Sequence, residues 1–419
     1  MSSVSQRPVG RRSIVTVFYI LAIGSGVMRT FSVAFDIFAL NTMISDPLAY
    51  GFMSQWTSFL VTFILVAVLS IRYKTGEKTR ALGYSLDPDF GRIRILPKKP
   101  TIYLLLAGIF AGVSTFFYYF LASATDASAV LPYGQLVIVY LLFGDLASEK
   151  DTPTIIEVQS IMSVVIGVLL IGVTPGGFDF ITLIIVLIPM NISSAFYTYY
   201  QRKTKRFEIK AGLRVDSLNM RLWSLLFLNL SFSLFALPIM MPTTWEAMLH
   251  SFTSLFWIMV GSSVTIFISI VMYVRALGRG SMSIVNSLAA VSVVLGIPLT
   301  LIGNLLIPGG FGALSSDPFL WVMKILGVAL VMIGVIALQA ADVRAMVIIK
   351  VKPQTTDILP ILYDIRGVEM ASALAGKYDY LLSIKSRSLS KTRTGILKKV
   401  QAIPEVESIQ TLIILKDYR

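Results

Sequence analysis

Apolar and polar positions fall into long blocks from residue 14 to residue 340, and into short alternating runs beyond it. Ten apolar stretches stand out, at 14–42, 50–71, 101–122, 126–145, 155–173, 178–200, 221–241, 253–275, 281–304 and 319–340. About 20 apolar residues in helical form cross the roughly 30 Å hydrocarbon layer of a bilayer. The pattern therefore predicts a multi-pass α-helical membrane protein with ten transmembrane helices. After them "AMVIIKVK" (Ala345–Lys352) alternates like a strand, and "QTTDILPILYDI" (Gln354–Ile365) has helical spacing with Thr355 or Thr356 as its cap. "GVEMASALA" and "YDYLLSIKS" are two strands turning at Gly376–Lys377, with Tyr378, Tyr380, Leu382 and Ile384 on one face. A helical stripe within 388–403 and a last strand from Val406 complete the order βαββαβ, a small α+β ferredoxin-like domain. With about 75 residues and one uncovered sheet face, pairing with a second copy is expected.

The chain also repeats itself. Shifting "YFLASATDASAVLPYGQL" by 154 positions lays Tyr119 on Tyr273, Ala122 on Ala276 and Pro132 on Asn286. "GVLLIGV", ending at Val173, and "GVALVMIGV", ending at Val335, share a small-residue texture. The predicted organisation is a terminal segment 1–13, five helices in 14–174, five in 175–341, and a soluble domain over 344–419. An odd number of helices per half turns the second upside down relative to the first. Such inverted repeats hold substrates near the bilayer midplane and rock about them.

Composition agrees: 55% of residues are hydrophobic and 14% charged. The net charge of +13 points at first to nucleic acid, but its placement does not. With the amino terminus taken as cytoplasmic, 21 of the 36 Lys and Arg fall in the inner connections and none in the outer ones. Positive charge marks the cytoplasmic side, so both termini are expected there, in the cell membrane, with some attraction to anionic lipid. The basic start "MSSVSQRPVGRR" runs into a full-length span, without the short apolar core of a cleaved leader. The five tryptophans, Trp257 among them, fall near predicted span ends, as an interfacial belt requires. No cysteine is present, and the one histidine, His250, falls in a predicted outer loop. Metal ligation, nucleophilic catalysis and a Gly-Lys-Ser/Thr phosphate loop all lack their parts, so neither an enzyme nor an ATP-driven motor is expected, and no cofactor.

The segments around "YYFLASATDASAVLPYGQLVIVYLLFGDLASEKD" and "VMYVRALGRGSMSIVNSLAAVSVVLGIPL" resemble the ten-helix drug/metabolite transporter superfamily, in particular its EamA-type repeat. Gly144–Asp145 stands where that family often has Gly-Glu, and the second half has Asn286 in place of Pro132. The resemblance covers roughly 14–340 and implies a secondary transporter of a small molecule without fixing which.

Ionisable groups within spans are the first site candidates, since each costs about 2.5–3.5 kcal/mol to insert. Arg29 and Asp36 lie two turns apart on one helix, about 10 Å along its axis. Arg29 either receives the anionic group of a substrate or is neutralised by Asp36 or another helix. Asp36 either couples a cation or proton or reaches the outer interface. Lys324 either snorkels or meets cargo. Tyr133, Gln135, Asn191 and Asn286 offer hydrogen bonds to a cavity or between helices. Pro132, Pro189 and Pro298 each free a backbone carbonyl within a span.

In the tail, "IRGVEMASALAGKYDYLL" and "IPEVESIQTLIIL" resemble the ligand-binding domain of Lrp/AsnC regulators. That resemblance implies sheet-mediated association and amino-acid binding at subunit interfaces, with Gly376, Tyr378 and Asp379 either touching the effector or shaping a turn. Pro360 is expected to interrupt the first helix of the domain, and no DNA-reading helix-turn-helix accompanies it. A secondary transporter of small metabolites, amino acids or related compounds first, with the tail as its amino-acid-sensing or dimerisation domain, is the first expectation. A non-transporting membrane receptor or scaffold is the second.

Overall fold

The computed structural model describes residues 11–75, 78–125, 127–149, 155–171, 173–174, 177–178, 180–210, 213–279, 282–312, 317–340, 343–353, 357–365, 368–386 and 397–413. The chain forms two compact units, one of residues 1–151 with 161–335, the other of 152–160 with 336–419.

The apolar blocks become helices α1 (Arg11–Thr42), α2 (Pro47–Leu69), α3 (Lys98–Ala124), α4 (Ala127–Tyr133) and α5 (Val137–Glu149). They continue as α6 (Ile155–Ile171), α7 (Phe180–Ile185), α8 (Ser193–Lys205), α9 (Ser217–Ala236) and α10 (Pro242–Leu277). The last are α11 (Met282–Ala289), α12 (Val291–Leu306) and α13 (Pro318–Ala340). Among the described residues, eight helical segments are long and apolar enough to cross a membrane. Ser128–Gly144 and Val158–Ile171 are shorter apolar helices, at the fourth and fifth predicted spans.

Local chemistry sets several boundaries. Asp46 caps α2 by accepting from the Leu48 and Ala49 N–H groups at 2.9 and 3.1 Å, with Pro47 opening the helix. Pro132 lies inside α4, and a 3-10 turn, Gly134–Leu136, joins it to α5. Pro189 lies in a π-helical stretch, Val186–Ile192, between α7 and α8. That wider turn leaves carbonyls to side chains: the Asn191 amide donates to Val186 O and the Tyr140 hydroxyl to Leu187 O. Pro298 is taken into α12. One boundary differs from expectation. The eighth span begins at Pro242, not near residue 253, because Pro242 can open a helix and nothing after it stops one. His250 is therefore helical, not in a loop, and Trp257 lies well inside α10 instead of at its end.

The second unit contains strands β1 (Val343–Val351), β2 (Val368–Ala373), β3 (Tyr380–Ser386) and β4 (Val406–Ile413), with short helices α14 (Leu359–Asp364) and α15 (Lys398–Gln401). The sheet order is β4-β1-β3-β2, antiparallel throughout. The strand order is that expected of βαββαβ, while most of the helical stripe expected within 388–403 lies outside the described residues. Ala345, Val347 and Ile349 alternate inward on β1, and Val347, Ile349, Leu382 and Ile384 meet Ile358, Leu362 and Val400 in one core. Pro360 does not interrupt α14. It sits in the first turn, where its missing N–H would have had no partner anyway. The proposed caps Thr355 and Thr356 lie outside the described residues, and the Leu359 N–H is taken by Asp357 Oδ1 at 2.9 Å. Tyr378 precedes β3 and does not share its inward face.

Candidate binding cavity

Four polar positions on α1, Ser25, Arg29, Ser32 and Asp36, recur at helical spacing and form one stripe. A matching stripe on α10 carries Ser262, Ile266, Ser269 and Tyr273. The two run antiparallel: Ser269 Oγ donates to Ser25 O at 2.7 Å, and the Ser32 and Ser262 hydroxyls bond at 3.0 Å. Between these stripes and α2, α3, α8, α9 and α11 lies a cavity of about 210 Å³.

Asp36 is the one carboxylate among the described residues that line it. It is buried, and its oxygens accept from Tyr50 Oη at 2.8 Å, Ser262 Oγ at 2.9 Å and Tyr118 Oη at 3.1 Å. Three donors on one carboxylate hold a buried negative charge without a cation in contact. Arg29 lines the same cavity and forms no hydrogen bond or ion pair with another described residue. Two turns of helix keep the pair apart, as the spacing requires. Gln135 lines it too, 3.5 Å from Ser292 Oγ. Asn286 does so while donating to Tyr273 Oη at 2.7 Å, and Tyr273 shares a hydrogen bond with Thr198.

The remaining sequence candidates lie elsewhere. Asn191 Nδ2 donates to Tyr133 O and Val186 O and so braces the π-helical stretch, while its buried Oδ1 has no hydrogen-bond partner among the described residues. Tyr133 meets Asn191 through its backbone, and its side chain is buried outside the lining. Lys324 Nζ donates to Ser128 Oγ at 3.0 Å and lies over the Trp321 ring. Sequence reasoning missed Tyr118, Tyr197 and Ser262 in the lining, and the charged Arg221 above all. It is buried on the first turns of α9, Nε has no hydrogen-bond partner, and the side chain faces the cavity. Standing at the end of a basic connection, it reads in the sequence as a topology charge.

Below the cavity-lining residues, the loop before α3 is fastened to the ends of α8 and α9. Lys205 Nζ donates to Asp87 Oδ2 at 2.8 Å and Val215 O at 2.9 Å, and lies 3.5 Å from Asp89. Asp87 also accepts the Ser217 N–H at 2.7 Å. Burial pushes the Asp87 carboxyl up, but the Lys205 charge and these hydrogen bonds outweigh it and hold it below the usual range. Asp216, the α9 cap, binds Asn219 and Arg94, and Trp223 Nε1 donates to Arg94 O. Burial raises the Asp216 carboxyl despite those partners. Val66, Phe90, Leu218, Leu222 and Phe267 pack above this cluster.

In the second unit, Gly376 takes φ +149° in the turn before β3, a conformation that side-chain-bearing residues rarely adopt. Asp379 Oδ2 accepts the Val351 N–H at 2.8 Å, and Tyr378 Oη donates to Gln410 at 3.0 Å. Residues 344–419 match the family described as Lrp/AsnC ligand binding domain. The tail is an Lrp/AsnC ligand-binding domain. In this Lrp/AsnC domain, Gly376, Tyr378 and Asp379 all take part in fixing one turn against β1 and β4. No curated protein matches the chain. A solved structure described only as "Crystal structure of protein" is similar at 17% identity and a TM-score of 0.44, covering 78% of this chain and 96% of its own. So distant a likeness bears on neither fold nor function.

Proposed function

We propose that the chain is a secondary transporter of small metabolites, amino acids or related compounds first, regulated by an amino acid at its Lrp/AsnC domain. The observation that carries this reading is the cavity: Arg29, Asp36, Gln135 and Asn286 converge on it from helices that are otherwise apolar. Ionisable side chains in such helices mark substrate and ion paths. In this reading the eight long and two short helices make ten crossings of the drug/metabolite transporter type, as two five-helix halves of opposite orientation. Both termini face the cytoplasm of a cell-membrane protein, and no bond of the cargo is made or broken. Two positions matched by the 154-residue shift, Tyr119 and Tyr273, both line the cavity, which supports the duplication. So does the pairing of Gly167 with Gly327, the first residues of the two similar glycine-rich segments. Asp36 is the coupling residue in this reading. The Lrp/AsnC domain associates with a second copy and places an effector at that interface.

The test is uptake into proteoliposomes carrying the full chain, against a panel of labelled amino acids and related metabolites. Saturable uptake of at least one is expected, reduced at least tenfold by Asp36→Asn. Saturable binding with no flux for any compound would replace the transporter with a receptor.

A further inference from the structure

Among the described residues, the charges lining the cavity do not balance. Arg29 and Arg221 both face it, against the carboxylate of Asp36. Asp36 is already held by Tyr50, Tyr118 and Ser262. Arg221 is only 5% exposed, with Nε unpartnered. Tyr197, also in the lining, lies within electrostatic range of both arginines, and Tyr118 within range of both Arg29 and Asp36. Tyr197 is thus a neighbour common to the two arginines, and Arg29 stands two helical turns from Asp36, about 10 Å along α1.

A buried guanidinium without a counter-charge is costly, and a structure retains one where a ligand supplies the missing charge. The planar fork of arginine fits carboxylate and phosphate oxygens two at a time. We propose that the cavity selects small organic anions, seated by a carboxylate or phosphate head between Arg29 and Arg221 beside the Tyr197 hydroxyl. The proposal rests on the transport reading of the same cavity and names its cargo class. Asp36 and the serines of α1 and α10 then receive an ammonium or hydroxyl at the other end of the molecule. An amino acid bearing a second acid group meets all three charges. A cationic amino acid places its extra charge against an arginine and is rejected.

The experiment is ligand protection of the full chain in detergent, read as a shift in melting temperature at constant ionic strength. The probes are pairs alike in shape and unlike in charge: L-glutamate with L-glutamine, L-aspartate with L-asparagine, phosphoserine with serine, with L-lysine and inorganic phosphate alongside. At least one anion is expected to bind at least tenfold more tightly than its neutral partner, and the pair that responds separates carboxylate from phosphate recognition. Arg221→Gln should weaken that anion about 10- to 100-fold, the range of hydrogen bonds to charged groups. Arg221→Lys should recover part of the loss, and the unliganded variant should melt no lower than the parent. Arg29→Gln, at an exposed side chain, supplies the same test should the Arg221 variants fail to fold. Equal binding of neutral and anionic partners, protection by no anion, or anion affinity unchanged in both glutamine variants overturns the proposal. Anion binding without flux in proteoliposomes defeats transport and leaves the anion site standing.

Discussion

Single residues divide into those that hold the protein together and those that face the cavity, and the two kinds fail differently. Lys205 and Asp87 are both buried and bonded to each other at 2.8 Å. Removing one partner strands the other's charge, which costs about 3–5 kcal/mol. Asp87→Asn is expected to lower the melting temperature accordingly at neutral pH. The pH dependence has a definite sign. Asp87 is held below its ordinary value of 3.8 in the fold, so its contribution is complete above that value and fades as pH falls through the lower folded one. The melting-temperature gap between parent and Asp87→Asn should stay level down to about pH 4 and close below it. A gap that closes between neutral pH and pH 5 would assign the effect to another group. Legibility at this scale follows chemistry. Arg29 and Asp36 were plain in the sequence because a charge in an apolar run has no other ready explanation. Arg221 was hidden by neighbouring basic residues. Asn191 and Tyr133 stand outside the cavity lining, with Asn191 Nδ2 taken by carbonyls of the π-helical stretch and of Tyr133, a turn geometry that no apolar run announces.

At the scale of elements, one close approach of two helices is made by two glycines. A Cβ on Gly167 would lie 2.5 Å from Gly327 O, and one on Gly327 would lie 2.5 Å from Gly167 O. Ser163 Oγ, one turn earlier on α6, donates to Leu330 O of α13 at 2.7 Å. Small residues that let backbones touch are a principal source of helix association in lipid. Alanine favours an isolated helix over glycine by about 1 kcal/mol, so propensity alone predicts that Gly167→Ala stabilises. The contact predicts the opposite, a loss of about 1–3 kcal/mol from overpacking. Because the two sites share one contact, Gly167→Ala with Gly327→Ala should lose less than the sum of the single losses. Thermal unfolding in detergent decides it, and a stabilising Gly167→Ala would show that the helices separate at no cost. The long helices and the strand order of the tail were readable because periodicity of 3.6 and of 2 are strong signals. The start of α10 was not, because an apolar helix that emerges into polar residues carries no break in its pattern.

For the whole molecule, the proposed joining of a transport unit to the Lrp/AsnC ligand-binding domain makes a quantitative claim. An effector alters transport only through different affinities for the transport states, and cargo must then alter effector affinity by the same factor. Couplings of this kind are worth about 1–3 kcal/mol, or roughly 5- to 150-fold. An amino acid added on the side of the tail should therefore shift cargo affinity of the full chain within that range, and saturating cargo should shift effector affinity equally. Gly376→Val separates regulation from mere attachment. The Cβ at this site meets nothing within 4 Å, so the substitution acts through backbone strain alone, of order 1–3 kcal/mol. It disturbs the turn that Asp379 and Tyr378 fasten to β1 and β4, and leaves the cavity untouched. Basal uptake should persist in this variant while the effector response weakens or disappears. Uptake lost together with the response would make the domain a structural requirement of the transporter, and an unaltered response would place the effector away from this turn.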